Sequence, residues 1–242
     1  MEGNFNSNEQ LPDANKSICK VLTKHKEFVT GFFAKIPISG MNTIAHALII
    51  DNIFIKLEDI SEKQMKIIIN NNTTKVLELQ NPRTIYREKE EDGITIIEII
   101  PSDNLDTNSF LEIDSNIIQN QSIYKNLNKE IFLINIQNEQ KYELLQSKIK
   151  NINSDIYEIE KFNSKENIEV GSPIIQSDNL KLIGIYKGYD NKSNRNIGAF
   201  FKVSFEGFII KHSERIQKIN DINNKINGEI NNKINNKITI IF

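Results

Sequence analysis

Acyl-transfer chemistry at neutral pH needs three side chains in contact: a nucleophile, a base to take its proton, and a carboxylate to orient that base. Thiols and imidazoles are few in this chain: there is one cysteine, Cys19, and there are three histidines, His25, His46 and His212. Ser172 stands near the end of the stretch NSKENIEVGSPI, and Asp92 lies in the acidic run EKEEDG. Hydroxyls and carboxylates are plentiful, so residue type alone does not choose among them. The histidines and the cysteine show neither CxxC nor HExxH spacing, so no metal site is expected. GxGxxG and GxxxxGK are both absent, so no phosphate-cradling loop and no cofactor are expected either.

Positioning such residues requires a core, and 242 residues are enough for two modest ones. A net charge of -2 disfavours a nucleic-acid partner. A lone cysteine excludes an intrachain disulfide, and no apolar run reaches the roughly 18 residues of a membrane span. The first twenty residues lack the apolar centre of a signal peptide. The expectation is a cytoplasmic protein with no membrane partner.

β-Branched runs follow one another at short intervals: FVTGFFAKI (28–36), TIAHALII (43–50), MKIIIN (65–70), TKVLEL (74–79) and GITIIEII (93–100). A second series comprises EIFLINI (130–136), KYELLQS (141–147), DIYEIE (155–160), PIIQ (173–176), KLIGIYKG (181–188) and IGAFFKVSF (197–205). Two such sets predict an all-β protein of two subdomains. From Phe205 the period changes, because Phe205, Phe208, Ile209, His212 and Ile216 recur at helical spacing. The expected organisation is a disordered leader over 1–16, a β-barrel over 17–110, a second over 111–204, a helix over 205–220 and a low-complexity Asn/Ile/Lys tail over 221–242. Asn and Gly oppose helix in that tail, although its isoleucines could line a helix face or a partner-docking segment.

Six phrases, SICK at Ser17, VTGFFAKIP at Val29, GITIIEI at Gly93, GSPII at Gly171, LIGIYKG at Leu182 and NIGAFF at Asn196, come in an order and spacing that resemble the disulfide-free, intracellular trypsin-like serine peptidases of the chymotrypsin fold (PA clan). That resemblance spans residues 17–203. It implies two six-stranded antiparallel Greek-key β-barrels packed face to face, with a C-terminal helix.

The resemblance also assigns the catalytic positions. LIIDNIFIKLEDI (48–60) matches the phrase that carries the histidine and puts Ile53 in its place. A competing register through TIAHAL would make His46 the base, but it displaces the LEDI match by seven residues. The aspartate position falls on Gly93, with Asp92 one residue earlier, and a one-residue slip in extended chain turns a side chain to the opposite face. The nucleophile phrase GxSGSP falls on Ile168, Glu169, Val170, Gly171, Ser172 and Pro173, which puts Val170 at the serine and Ile168 at the oxyanion-hole glycine. Ser172 lies about 6 to 7 Å further along an extended chain, too far to replace that serine.

The expected function is therefore that of a catalytically inactive homologue, a pseudoprotease that binds a peptide or protein between the barrels. Residues Ile183, Gly184, Ile185 and Tyr186 would offer a strand edge to the ligand backbone. Two alternatives stand beside it: an active endopeptidase using His46, Asp92 and Ser172, and an unrelated β-rich interaction module.

Overall fold

The computed structural model describes residues 14–38, 42–69, 73–89, 93–118, 123–137, 141–162 and 168–239. A 3-10 turn, Ala14–Ser17, precedes the first strand. The first half of the chain contributes β1 (Ile18–Leu22), β2 (Phe28–Ile38), β3 (Thr43–Asp51), α1 (Leu57–Ser61), β4 (Gln64–Ile69), β5 (Thr73–Glu78), β6 (Ile85–Arg87), β7 (Ile94–Ile99) and β8 (Leu111–Glu112). The second half contributes α2 (Ser115–Ile118), β9 (Glu130–Gln137), β10 (Lys141–Asn153), β11 (Ile156–Ile159), β12 (Pro173–Gln176), β13 (Leu182–Asp190), β14 (Arg195–Phe200) and α3 (Lys202–Thr239).

The second sheet closes into a six-stranded barrel in the order β10-β11-β14-β13-β12-β9. The first does not close. It runs β5-β4-β1-β2-β3-β7-β6, with β8 added in parallel to β2, and is a half-barrel rather than the expected closed six-stranded one. Its two ends are joined by the connector 79–84. That connector stays tied to the sheet through Leu79 N–H to the Lys63 carbonyl (2.8 Å) and Glu98 N–H to the Thr84 carbonyl (2.9 Å). Pro82 lies in this connector and cannot donate a ladder hydrogen bond, so β5 and β6 remain two short strands.

The strands next to the seam between the barrels are buried on both faces. Alternate side chains of a strand point to opposite faces. Accordingly Phe32, Ala34 and Ile36 of β2 face the seam, while Val29 and Phe33 face the first barrel's interior. Ala47 and Ile49 of β3 divide from Leu48 and Ile50 in the same way. Across the seam stand Ile134 and Ile136 of β9, Ile175 of β12 and Ile185 of β13. Ile131, Leu133, Ile149, Tyr157 and Ile183 fill the second barrel.

α3 begins at Lys202, three residues before the expected Phe205. Phe201, Phe205 and Phe208 are buried in the seam cluster, and their spacing of four and three is that of a helix face already in force at Phe201. The run IGAFFKVSF reads as one strand because the β14 pattern and the helix pattern share their phenylalanines. α3 then continues through the low-complexity tail to Thr239, well past the expected end at residue 220. β10 likewise extends to Asn153, beyond the expected 147, through an Asn/Lys-rich segment with Ile149 and Ile152 turned inward and a register shift between Ile149 and Asn151.

Candidate functional site

β3 ends at Asp51, which pairs with Ile94 at the start of β7, and Asn52 N–H to the Gly93 carbonyl (3.1 Å) extends that ladder. Residues 51–53 and Gly93 are therefore neighbours. Residues 168–172 arrive from the other barrel. Gly171 is seated against β2 and β3: a Cβ added to it would lie 3.1 Å from the Thr30 carbonyl and 3.9 Å from Asp51 Cβ. Its φ of +91° is open to glycine and strained for other residues. The three positions assigned by resemblance, Ile53, Gly93 and Val170, thus lie on segments that border the same part of the seam. Ile53 is 60% exposed there, and Val170 Cγ2 packs toward Gly188.

The centre of this place is occupied by a lysine. Lys187 of β13 extends its Nζ to Asp51 Oδ2 at 3.0 Å and donates to the Gly93 carbonyl at 3.0 Å. The Asp51 side chain is 1% exposed and that of Lys187 13%, so the charges are nearly removed from water. Their pairing offsets part of the cost of taking both side chains out of water. Asp51 Oδ1 accepts the N–H of Ile53 (3.0 Å) and so shapes the turn after β3. Buried Asn52 is held three ways: its Oδ1 accepts from Arg87 Nη1 (2.7 Å) and Thr95 Oγ1 (2.7 Å), and its Nδ2 donates to the Glu88 carbonyl (3.0 Å).

Glu88 lies directly over Gly93. A Cβ at residue 93 would come within 2.5 Å of Glu88 Cβ and 2.7 Å of Glu88 Oε2, so the Glu88 carboxylate fills the space an aspartate at 93 would need. Ser204 Oγ donates to that carboxylate at 2.5 Å. On the opposite side, Glu169 is fastened to the first barrel by Lys20 and Thr30, and its N–H donates to Asn135 Oδ1 at 3.0 Å. The 168–172 segment is bound to both barrels by side chain and backbone, with Gly171 N–H to the Tyr186 carbonyl (2.9 Å) and Tyr186 N–H to the Ser172 carbonyl (2.9 Å).

Of the alternative triad, His46 and Ser172 are not brought together. His46 sits five residues back along β3 from Asp51, roughly 16 Å away at strand rise. There it pairs across to Lys35 and Ile99 and packs edge-on against Phe110 at 5.6 Å. Burial, and then the Lys35 charge, lower its pKa. Ser172 lies beside Asp51 through Gly171, is fully buried, and its Oγ has no hydrogen-bond partner among the described residues. Asp92 lies outside the described residues. Cys19 is buried in β1, where desolvation raises its thiol pKa and leaves it a poor nucleophile. His25 is exposed in the β1–β2 turn, and His212 faces Glu98 at 3.5 Å.

The expected strand edge is not free at the residues named for it. Gly184, Ile185 and Tyr186 pair with β14 on one side, Gly184 and Ile185 pair with β12 on the other, and Tyr186 bonds to Ser172. Ile183, Ile185 and Tyr186 are buried, and the Tyr186 hydroxyl, pushed up to about 12 by burial, donates to Asn196 Oδ1. Closure of the second barrel removes this edge. What remains accessible is a cleft of about 320 Å³ bordered by Gly93, Ile156, Lys187, Val203 and Ser204. Ile53, Ile156, Tyr189 and Val203 are all at least 44% exposed.

Lys187 and Glu88 escaped sequence reasoning. The one signal was a lysine in the otherwise apolar phrase LIGIYKG.

No protein-family model matches this chain, and no curated protein matches it. Solved structures do. The active form of the Rv3671c protease from M. tuberculosis aligns with a TM-score of 0.55 at 10% identity, covering 85% of this chain and 84% of that one. Its inactive form gives 0.53 at 11% identity, covering 85% and 93%. A serine endoprotease from Yersinia pestis gives 0.51 at 11% identity, covering 81% and 62%. At such identities the likeness speaks to architecture alone. A half-barrel, a closed six-stranded barrel and a C-terminal helix in this order are the two-barrel trypsin-like fold.

Proposed function

We propose that this protein is a non-cleaving member of the trypsin-like fold that holds a peptide or protein segment at the seam between its barrels. One observation carries the reading: Lys187, paired with Asp51 and the Gly93 carbonyl, occupies the part of the seam that Ile53, Gly93 and Val170 border. A peptidase at this point needs a base with a free lone pair, and a lysine ammonium held by a buried carboxylate has none. Val170 supplies no nucleophilic atom, and Glu169 adds a carboxylate beside the place where an oxyanion would form. Ile156 and Val203, which line the cleft, are apolar and exposed and fit an extended peptide with apolar side chains, with Ile53 exposed after β3 as a further apolar contact.

Two measurements test this. The full chain treated with a fluorophosphonate probe should show no labelling, and a peptide-library digest should show no cleavage. Stoichiometric labelling, or cleavage that Ser172→Ala abolishes, would sink the reading. Peptides selected from a displayed random library should bind the full chain and lose about tenfold in affinity to Ile53→Asp. Binding indifferent to both Ile53→Asp and Val203→Asp would move the ligand away from the seam.

A further inference from the structure

The cleft does not end at Ile156. A second hollow, of about 190 Å³, opens on the outer face of the second barrel, and Asn153 and Ile156 border both. Strand alternation explains its floor. Register sets Asn151 of β10 beside Glu158 of β11, and Glu158 beside Ile197 of β14. Two residues along, it sets Asn153 beside Ile156 and Ile156 beside Ala199. These side chains point outward, because Ile152, Tyr157 and Phe200, their alternates on the same strands, fill the barrel interior. The solvent face of an antiparallel sheet is ordinarily polar. Here Ile156 is 44% exposed and Ile197 and Ala199 are half-buried, so an apolar strip leaves the cleft along β11 and β14.

The far end of the strip carries a surplus of positive charge. Glu158, its side chain 12% exposed, is shared by two cations: Arg195 Nη1 lies 3.1 Å from one carboxylate oxygen and Lys150 Nζ 3.4 Å from the other. One carboxylate offsets only one of the two charges. Arg195 is half exposed, and its Nε and Nη2 donors have no partner among the described residues. At the cleft end the sign is opposite, since Glu88 and Asp155 border it and the Lys187 charge is taken by Asp51. The strip is also small. Three side chains, none more than half exposed, offer far less than the roughly 800 Å² that each member of a stable protein pair buries, and so suit a short extended segment.

We infer that a peptide held at the seam continues out of the cleft over Ile156 and along β11, and that it carries an acidic side chain for Arg195 and Lys150. This rests on the seam being the peptide's seat. Ala199 and Arg195 are four residues apart on β14, roughly 13 Å, which an extended ligand also spans in four residues. Residues four apart in extended chain share a face. The motif recognised is therefore an apolar residue over Ile156 with an aspartate or glutamate four positions away. Glu88 and Asp155 repel that acid from the cleft and so fix the direction in which the ligand lies.

Peptides selected from a displayed random library on the full chain are the probe, with affinities read by fluorescence anisotropy. Selected sequences should be enriched in an acidic residue four positions from an apolar one. Ile156→Asp should weaken the best binder about tenfold or more. Arg195→Gln with Lys150→Gln should weaken it about tenfold and remove most of its salt dependence. All three positions are exposed, so each variant should keep the parent's Tm. Exchanging the peptide's acid for its amide should cost affinity on the parent but nothing further on the Arg195→Gln, Lys150→Gln protein, the coupling expected of a direct contact. A binder that weakens with Val203→Asp yet ignores Ile156→Asp and the Arg195 and Lys150 changes would overturn this inference and leave the seam reading standing. Enrichment of lysine or arginine at the fourth position would do the same, and a library that yields no binder at all would overturn both.

Discussion

Lys187→Met should destabilise the protein sharply, and Asp51→Asn in the same chain should return most of what is lost. The lysine side chain is 13% exposed and its partner carboxylate 1%, with 3.0 Å between Nζ and Oδ2. Removing one member of a buried pair strands the other's charge, which costs about 3 to 5 kcal/mol. Partial access of water to Lys187 argues for the lower end, about 3 kcal/mol. In a body of this size that corresponds to a fall in Tm of about 6 to 12 °C. Methionine approximates the length of the lysine stem, so the loss is electrostatic rather than a cavity. The Gly93 carbonyl keeps the Asn52 N–H as a donor. With asparagine at 51, the amide oxygen still accepts the Ile53 N–H and no charge remains to be stranded. The double variant should therefore lie within about 1 kcal/mol of the parent, a coupling of about 2 kcal/mol or more. Urea denaturation followed by circular dichroism, with all four proteins of the cycle, gives the number. A cost below about 1 kcal/mol for Lys187→Met, or additive losses in the double variant, would refute the view that a buried ion pair organises this site.

Installing the three catalytic residue types, Ile53→His, Gly93→Asp and Val170→Ser together, should yield no detectable hydrolysis of a peptide-library substrate. Gly93→Asp alone should lower the urea midpoint, because its Cβ meets Glu88 Cβ at 2.5 Å and its carboxylate meets another; turnover by the triple variant would show that Glu88 and Lys187 do not block the site. The clasp of α3 on β7 should weaken in acid. Burial lowers the pKa of His212, with the Arg215 charge acting in the same sense and Glu98 opposing it, and Thr84 Oγ1 lies 3.3 Å from its ring. A group whose folded pKa is depressed contributes stability above its unfolded pKa of about 6.5 and loses it as pH falls through the folded value. His212→Phe should flatten the fall in Tm below about pH 6.5, and an unchanged acid slope would exclude His212 as its source.

Strand positions were legible where β-branched residues stand in runs, and both-face burial on β2, β3 and β7 follows from those runs lacking polar alternation. The length of α3 was not, because Asn and Gly argue locally against helix while four isoleucines argue for a face. The site divides similarly. Ile53, Gly93 and Val170 could be singled out because each sits in a contiguous phrase. Lys187 was missed because the Gly93 carbonyl it bonds lies 94 residues away, and Glu88 because only tertiary contact with Gly93 and Ser204 gives it a role. The edge expected at residues 183–186 failed for a third reason: whether a strand is an edge depends on what pairs with it, and β12 and β14 are not visible from β13 alone.

Gly171 and Ser172 beside Val170 have a physical role that does not involve catalysis. Gly171 adopts a φ of +91° with the Thr30 carbonyl 3.1 Å from where a Cβ would be, so a side chain there would cost conformational strain and a clash. Its N–H and the Ser172 carbonyl bond to Tyr186, which fixes the segment onto β13. Position 170 carries no such demand, since its side chain needs only space beside Gly188, and valine fills that as readily as serine. Packing between the barrels therefore constrains Gly171 and Ser172 more tightly than Val170. In this chain the phrase GSP reports how the segment is seated against β13, and seating alone carries no chemistry.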